Sequence, residues 1–173
     1  NILPPGYRRP LTYDWESSYR ADRIRSVLGQ GSNFRREDFE RLQQDDFSIP
    51  ASHLVPSLLE AAGRHGADGE AIDSLRAWDF RMRRDQMAPL IYETWVRALG
   101  ALVIGPKLAP LPYPSPELDV SRLERLLGEM RSQPDTAMRS RRDTVMLAAL
   151  DSALASVQQL LGTDRNAWRW GAV

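Results

Sequence analysis

The chain has 173 residues, with 23 basic and 23 acidic side chains, 42% hydrophobic residues and no cysteine. That length supports about one domain with a sizeable core, and the lack of cysteine excludes a disulfide scaffold, a thiol nucleophile and every cysteine-ligated metal site. A formal net charge of zero offers no long-range attraction to nucleic acid or anionic lipid, and no run reaches the roughly 18 consecutive apolar residues of a membrane span, so neither partner is expected.

In chain order, residues 1–15 carry Pro4, Pro5, Gly6 and Pro10, which predicts an extended or turning lead-in. Helical periodicity begins after Ser17-Ser18, either of which could cap a helix over Tyr19–Gln30, and Gly29-Gln30-Gly31 ends it. A second helix follows Ser32-Asn33. Its expected face is Phe39, Leu42 and Phe47, with Glu37, Asp38 and Glu40 placed favourably toward its positive end. The third, Ala51–Arg64, follows Ser48 and Pro50; Leu54, Leu58 and Ala61-Ala62 form its apolar stripe, and Pro56 predicts a kink or an early-turn position. His65–Gly69 reads as a loop and Glu70–Trp78 as a short helix. Asp85 is expected to cap a long apolar helix running to Val103 through Met87, Leu90, Ile91, Trp95, Ala98, Leu99 and Leu102.

Prolines at 106, 110, 112 and 114 make the stretch from Gly105 an extended connector. Two further amphipathic helices are expected, Leu118–Met130 and Arg142–Leu161, the second with Val145, Leu147, Leu150, Leu154, Val157 and Leu161 on one side. No stretch alternates with period two for long enough to be a strand. The fold class is therefore all-α, with six to seven helices, as a single helical segment spanning 1–173. A possible subdivision is a helical core (1–104), a proline-rich connector (105–117) and a helical pair with its tail (118–173).

Many chemical signatures are missing. Neither a P-loop nor GxGxxG is present, and there is no GxSxG. His53 and His65 have no acidic partner at a metal spacing, so a zinc or di-iron site is not expected, and His53 reads as a packed or surface histidine. The arginine clusters at 8–9, 35–36, 81–84 and 139–142 are mostly offset nearby by Glu37, Asp38, Asp79, Asp85 or Asp143, which fits solvated, salt-bridged helix faces better than a nucleic-acid surface. Two features stand out. Tyr19-Arg20-Ala21-Asp22-Arg23-Ile24 concentrates arginine at a helix start, against the helix dipole, where the plain reading is a surface salt-bridge network. Asp45-Asp46 places two acids near a helix end, where they are useful only if they accept particular hydrogen bonds, structural ones first.

Those positions resemble the β-chain of penicillin acylases and their relatives, which cleave cephalosporin, aculeacin and acyl-homoserine-lactone amides. The matching pieces come in order: Pro4-Pro5-Gly6-Tyr7; Asp14-Trp15; Tyr19 to Ile24; Leu42-Gln43-x-Asp45-x-x-Ser48; Leu75-x-x-Trp78-Asp79; Asp85-x-x-Ala88-Pro89-x-Ile91-Tyr92-x-x-Trp95; and Trp168-x-Trp170-Gly171. Phe80 departs from the pattern, since a small or flexible residue usually follows Trp-Asp.

The resemblance implies a helical segment of a larger α+β hydrolase whose nucleophile is the N-terminal serine of a self-cleaved β-chain. The serine attacks an acyl amide with its own α-amine as base, and an asparagine and a backbone N–H hold the oxyanion. Asn1 cannot be the nucleophile, so the serine is expected in preceding sequence and this segment alone is expected to be inactive. Counting from Tyr7 puts the oxyanion asparagine just upstream, making Asn1 its neighbour; the other reading makes Asn1 the donor itself. Arg23 matches the arginine that orients that asparagine and faces substrate. Asp14 falls where many relatives supply a carboxylate to a structural calcium; no cofactor is implied for catalysis. The implied partners are the rest of the β-chain, the α-chain of the same precursor and a small acyl-amide substrate, and the implied location is the bacterial periplasm or exterior. The opening on Asn1 reads as the start of an excised or processed piece. The alternative is a non-catalytic helical module for protein interaction.

Overall fold

A computed structural model describes residues 6–8, 17–105, 119–132 and 135–173. Asn1, Asp14 and nearly all of the proline-rich connector lie outside the described residues. Among those described there are seven α-helices and no strand, as the periodicity predicts: α1 (Tyr19–Leu28), α2 (Arg36–Gln43), α3 (Ile49–His65), α4 (Glu70–Arg76), α5 (Met87–Val103), α6 (Val120–Ser132) and α7 (Thr136–Leu161). Two short 3₁₀ turns, Arg165–Ala167 and Trp170–Ala172, follow.

Local chemistry sets most of these boundaries. Gly29 ends α1 by returning its N–H to the Arg25 carbonyl at 2.8 Å. Ser48 caps α3 by accepting from the Ala51 N–H at 3.3 Å, and Pro50 sits in the first turn, where its missing N–H costs no helical bond. Gly66 closes α3 at φ 66°, a left-handed conformation that glycine adopts without steric cost. Pro56 stands on the exposed side of α3.

Four expectations need correction. Ser18 precedes α1 but makes no side-chain cap; its hydroxyl instead donates to Asp22 at 2.5 Å. The second helix stops at Gln43, so Phe47 does not belong to its face. Asp45 accepts from the Phe47 N–H at 3.1 Å, which draws the backbone out of the helix, and Phe47 then pairs antiparallel with Arg81 in an isolated bridge. Asp85 does not cap α5: the extended residue before the helix is Gln86, and no side chain caps it. Finally, α7 begins at Thr136 rather than Arg142, because Asp135 accepts from the Ala137 N–H at 2.8 Å and starts the helix early.

The buried face of α7 also differs from the leucine stripe. It runs through Arg142-Asp143, Met146, Ala149, Leu150, Ala153 and Val157, whereas Val145, Leu147 and Leu154 are only partly buried. This face is inside because α7 packs against α5, α3 and α6. By length and composition α7 could cross a bilayer, and one face of it, from Arg142 to Val157, is buried in this core. A single apolar cluster joins α3, α4, α5, α6 and α7, from Ala51 through Trp95 and Leu123 to Ala153. A smaller one holds Trp168 against Leu90 and Val157. The tail is then hooked back by the Trp170 N–H on the Gln86 carbonyl at 2.9 Å and the Gly171 N–H on the Arg84 carbonyl at 2.8 Å. A Cβ at Gly171 would lie 3.0 Å from the Arg84 side chain, so a larger residue there would require Arg84 to give way by a few tenths of an ångström.

Phe80 has φ 61°, the one non-glycine residue with positive φ among the described residues. Left-handed backbone costs a side-chain-bearing residue about 1–2 kcal/mol, which explains why a small residue suits this turn. The Phe80 ring offsets part of that cost by packing edge-on to Trp78 and Phe47, with centroids at 5.6 and 6.3 Å.

One charged group is buried between helices. Asp143 and Arg142 are each 2% exposed. Arg64 of α3 donates through Nε and Nη2 to the Asp143 carboxylate at 2.8 and 3.0 Å, and Arg142 Nη2 donates at 3.2 Å. Burial alone would push the Asp143 carboxyl up, but the hydrogen bonds from Arg64 and Arg142 outweigh it and hold it below the usual carboxylate range. A depressed folded-state pKa contributes stability above the unfolded value of about 3.9, and that stability is lost as pH falls through the folded value. Asp143→Asn should therefore cost about 2 kcal/mol at neutral pH, by leaving Arg142 without a buried counter-charge, and should flatten the loss of stability below about pH 4. Thermal midpoints of the complete protein across pH 2.5 to 7 (roughly the range in which carboxylates titrate) test this. An acid limb as steep in the variant as in the parent would exclude Asp143 as its source.

Candidate functional site

Neither α1 nor α2 contains a buried side chain. They lean against the start of α3 and enclose an open cavity of about 580 Å³ with the segment that joins α2 to α3. Ile24, Leu28, Phe39 and Leu42 supply apolar wall, and Arg23 and Asp45 supply polar groups.

Arg23 sits one helical turn into α1 and is turned inward. Its Nε and Nη2 donate to the two carboxylate oxygens of Asp45 at 2.9 and 2.7 Å. Side-chain exposure is 22% for Arg23 and 12% for Asp45, so the pair is largely withdrawn from water. The guanidinium carbon also lies 4.6 Å from the centre of the Phe47 ring, in cation–π geometry. Among the described residues, Asp45 is the sole hydrogen-bond acceptor of this guanidinium. Among the described residues, no acceptor meets its Nη1.

The hydrogen bonds from Arg23 hold the Asp45 carboxyl below its ordinary range against the opposing effect of burial, helped by the Phe47 N–H and by Arg81. The same bonds push the Arg23 guanidinium up. The pair therefore stays charged at neutral pH, and it comes apart only when pH falls through the lowered Asp45 value. Arg81 Nη1 bonds Asp46 at 2.8 Å and stands 3.9 Å from Asp45. The two adjacent acids thus accept particular hydrogen bonds, as their position near a helix end suggested.

Other arginines behave differently. Arg25, in the last turn of α1, bonds Asp22 at 2.8 Å on the exposed surface. Arg83 is offset by Asp79 at 2.9 Å, whereas Arg81 turns to Asp46 rather than to its nearer neighbours. Tyr19 points its hydroxyl into the interior beside Glu124 of α6, and burial first, then the Glu124 carboxylate, pushes the phenol up. His53 is exposed and lies 3.4 Å from Glu124, in keeping with a surface histidine.

Of the three sequence-predicted site residues, Arg23 is placed at this cavity, while Asn1 and Asp14 lie outside the described residues. Among the described residues no group of three or more His, Asp or Glu side chains is gathered to hold a metal. What the sequence reading missed is that Asp45 and Phe47 belong with Arg23. The available signal was the shared register of Tyr19–Ile24 and Leu42–Ser48 in one family pattern, which gives no distance between them.

The penicillin amidase family model matches residues 1–173, the whole chain. Among curated relatives, the acyl-homoserine lactone acylase QuiP of Pseudomonas fluorescens Pf-5 is 24% identical over 98% of this chain and 24% of its own length. QuiP of Pseudomonas aeruginosa PAO1 is 24% identical over 98% of this chain and 23% of its own, and QuiP of Pseudomonas putida KT2440 is 24% identical over 98% and 24%. The chain thus spans about a quarter of the length of the curated relatives it matches. With a match from end to end, and with the all-α fold and ordered motifs already described, this chain belongs to the penicillin amidase family.

Proposed function

We propose that this chain is the helical part of an amide hydrolase that releases an acyl group from an acylated amine, with Arg23 facing the reacting amide. The carrying observation is a guanidinium held on two sides, by Asp45 and Phe47, at the wall of a cavity of about 580 Å³, with no acceptor for its Nη1 among the described residues. A fixed guanidinium offers donors at set angles, suited to an amide, lactone or carboxylate oxygen. In a site withdrawn from water such donors count for more than in bulk solvent.

The chemistry of this reading divides between this chain and the rest of its parent. The N-terminal serine of the processed β-chain, encoded outside this segment, attacks the acyl carbonyl and passes its proton to its own α-amine. An asparagine at or just before Asn1 and a backbone N–H hold the oxyanion. The amine departs with a proton, and water then cleaves the acyl-enzyme. Arg23 orients the asparagine and the leaving group. The segment alone is inactive, its partners are the rest of the β-chain and the α-chain, and it works in the bacterial periplasm or outside the cell. In the same reading Asp14 would supply a carboxylate to a structural calcium.

The relatives named above make N-acyl-homoserine lactones the first class to assay, with penicillin and cephalosporin amides beside them. The complete processed protein should release free amine from at least one of these classes. Absence of amine release across lactones with short, medium and long acyl chains and both β-lactam classes would overturn the reading.

A further inference from the structure

We propose that Asp45 is the positioning residue for Arg23: it sets where the guanidinium's Nη1 edge points without touching substrate. The proposal rests on the reading of Arg23 given above. Helix α1 carries no buried side chain, so the apolar core does not fix the helix that bears Arg23. A long arginine side chain on such a helix has several rotamers to lose, and something must select one. Asp45 does so with two parallel hydrogen bonds at 2.9 and 2.7 Å, one to each carboxylate oxygen. Fork-to-fork contact of this kind fixes both the plane and the in-plane rotation of the guanidinium, which a single bond cannot. It occupies Nε and one side of Nη2 and turns Nη1 away from Asp45. Phe47, 4.6 Å beneath the guanidinium carbon, blocks tilt toward its side.

The carboxylate is itself anchored where α1 is not. Asp45 accepts from the Phe47 N–H at 3.1 Å. Its segment is laced to the loop before α5 by the Ser48 N–H on the Phe80 carbonyl at 2.8 Å and the Met82 N–H on the Asp46 carbonyl at 2.9 Å. That loop is pinned in turn by Trp78, whose Nε1 donates to the Arg81 carbonyl at 2.8 Å. Position therefore passes from the packed α4–α5 region, through a short two-chain contact, to Asp45 and then to Arg23. The left-handed Phe80 lies within that contact, so strained backbone is retained where it holds the carboxylate's segment in place.

The test compares variants of the complete processed enzyme on the N-acyl-homoserine lactone that it turns over fastest, with kcat, KM and thermal midpoint measured for each. Asp45→Asn keeps the shape but not the charge, and should lower kcat about tenfold with KM changed by less than about threefold. In an Arg23→Ala background the same substitution should lower kcat by less than about twofold, because the group it positions is gone. Asp45→Glu keeps the charge on an arm longer by one methylene. It should restore the thermal midpoint but leave kcat low, which a purely structural ion pair would not do. Should Asp45→Asn fail to accumulate as folded enzyme, Asp45→Glu decides alone: parent-like kcat there overturns the proposal. So does an undiminished effect of Asp45→Asn in the Arg23→Ala background. If Arg23→Ala slows turnover and Asp45→Asn does not, the positioning role falls and the reading of Arg23 stands. If Arg23→Ala is without effect, or no acyl amide is cleaved, both fall together.

Discussion

Replacing Arg23 with alanine in the complete enzyme should lower acyl transfer at least tenfold, a loss of about 1.4 kcal/mol or more of transition-state stabilisation. The substitution removes the guanidinium that Asp45 and Phe47 hold at the cavity wall. Its effect on folding should be smaller. Arg23 lies on a helix without buried residues, its side chain is 22% exposed, and Asp45 keeps the Phe47 N–H and the nearby Arg81 after the change. Lysine is an instructive second variant. Its ammonium is a point charge that cannot contact both carboxylate oxygens in one plane while presenting a fixed outer edge. Arg23→Lys should therefore keep most of the thermal midpoint and recover only part of the lost turnover. Steady-state kinetics of both variants beside the parent check this, and parent-like turnover in Arg23→Ala would remove the residue from the active site.

The largest effect on stability is expected at Trp95. It is completely buried in α5, its Nε1 donates to the Met146 carbonyl of α7 at 3.0 Å, and its ring lies 6.4 Å from that of Tyr92. Trp95→Ala should cost about 3–5 kcal/mol, from lost transfer energy and the cavity left between the two central helices. Trp95→Phe keeps most of the packing and loses the hydrogen bond, so it should cost clearly less. The Met146 carbonyl is in mid-helix and keeps its place in the α7 ladder. Denaturation of the complete protein gives the readout, and an unchanged midpoint for Trp95→Ala would show that the α5–α7 contact is not central to the fold. Loss of activity in this variant should track loss of folded protein rather than a change in KM.

These two residues also mark how far the one-dimensional pattern reaches. Trp95 was legible as core, because it falls on a helical stripe with Leu99 and Leu102, although Leu102 proved to be exposed. Arg23 was legible as unusual, because cations are unfavourable at a helix start, and as functional only through the family pattern. The face of α7 was misread for an identifiable reason. Leucine and valine drew the eye to one side, but packing against α5, α3 and α6 buries a face that includes Arg142, Asp143, Ala149 and Ala153. Phe47 was misread for another: its spacing fits a helix, while the Asp45 side chain competes for its N–H and ends that helix before it.

Hydrophobic period, cap chemistry, proline placement and the ordered motifs were enough to establish that this chain is all-helical, roughly where its helices run, which family it belongs to and that Arg23 is out of the ordinary. Periodicity works because each helix repeats its own neighbours every turn, so local spacing carries the information. Which helices touch, which side of α7 faces α5, and that a carboxylate 22 residues beyond Arg23 holds it in place were decided by the tertiary structure alone. Those contacts depend on where the chain turns back on itself, and the turns rest on small balances of burial and hydrogen bonding that no local spacing records.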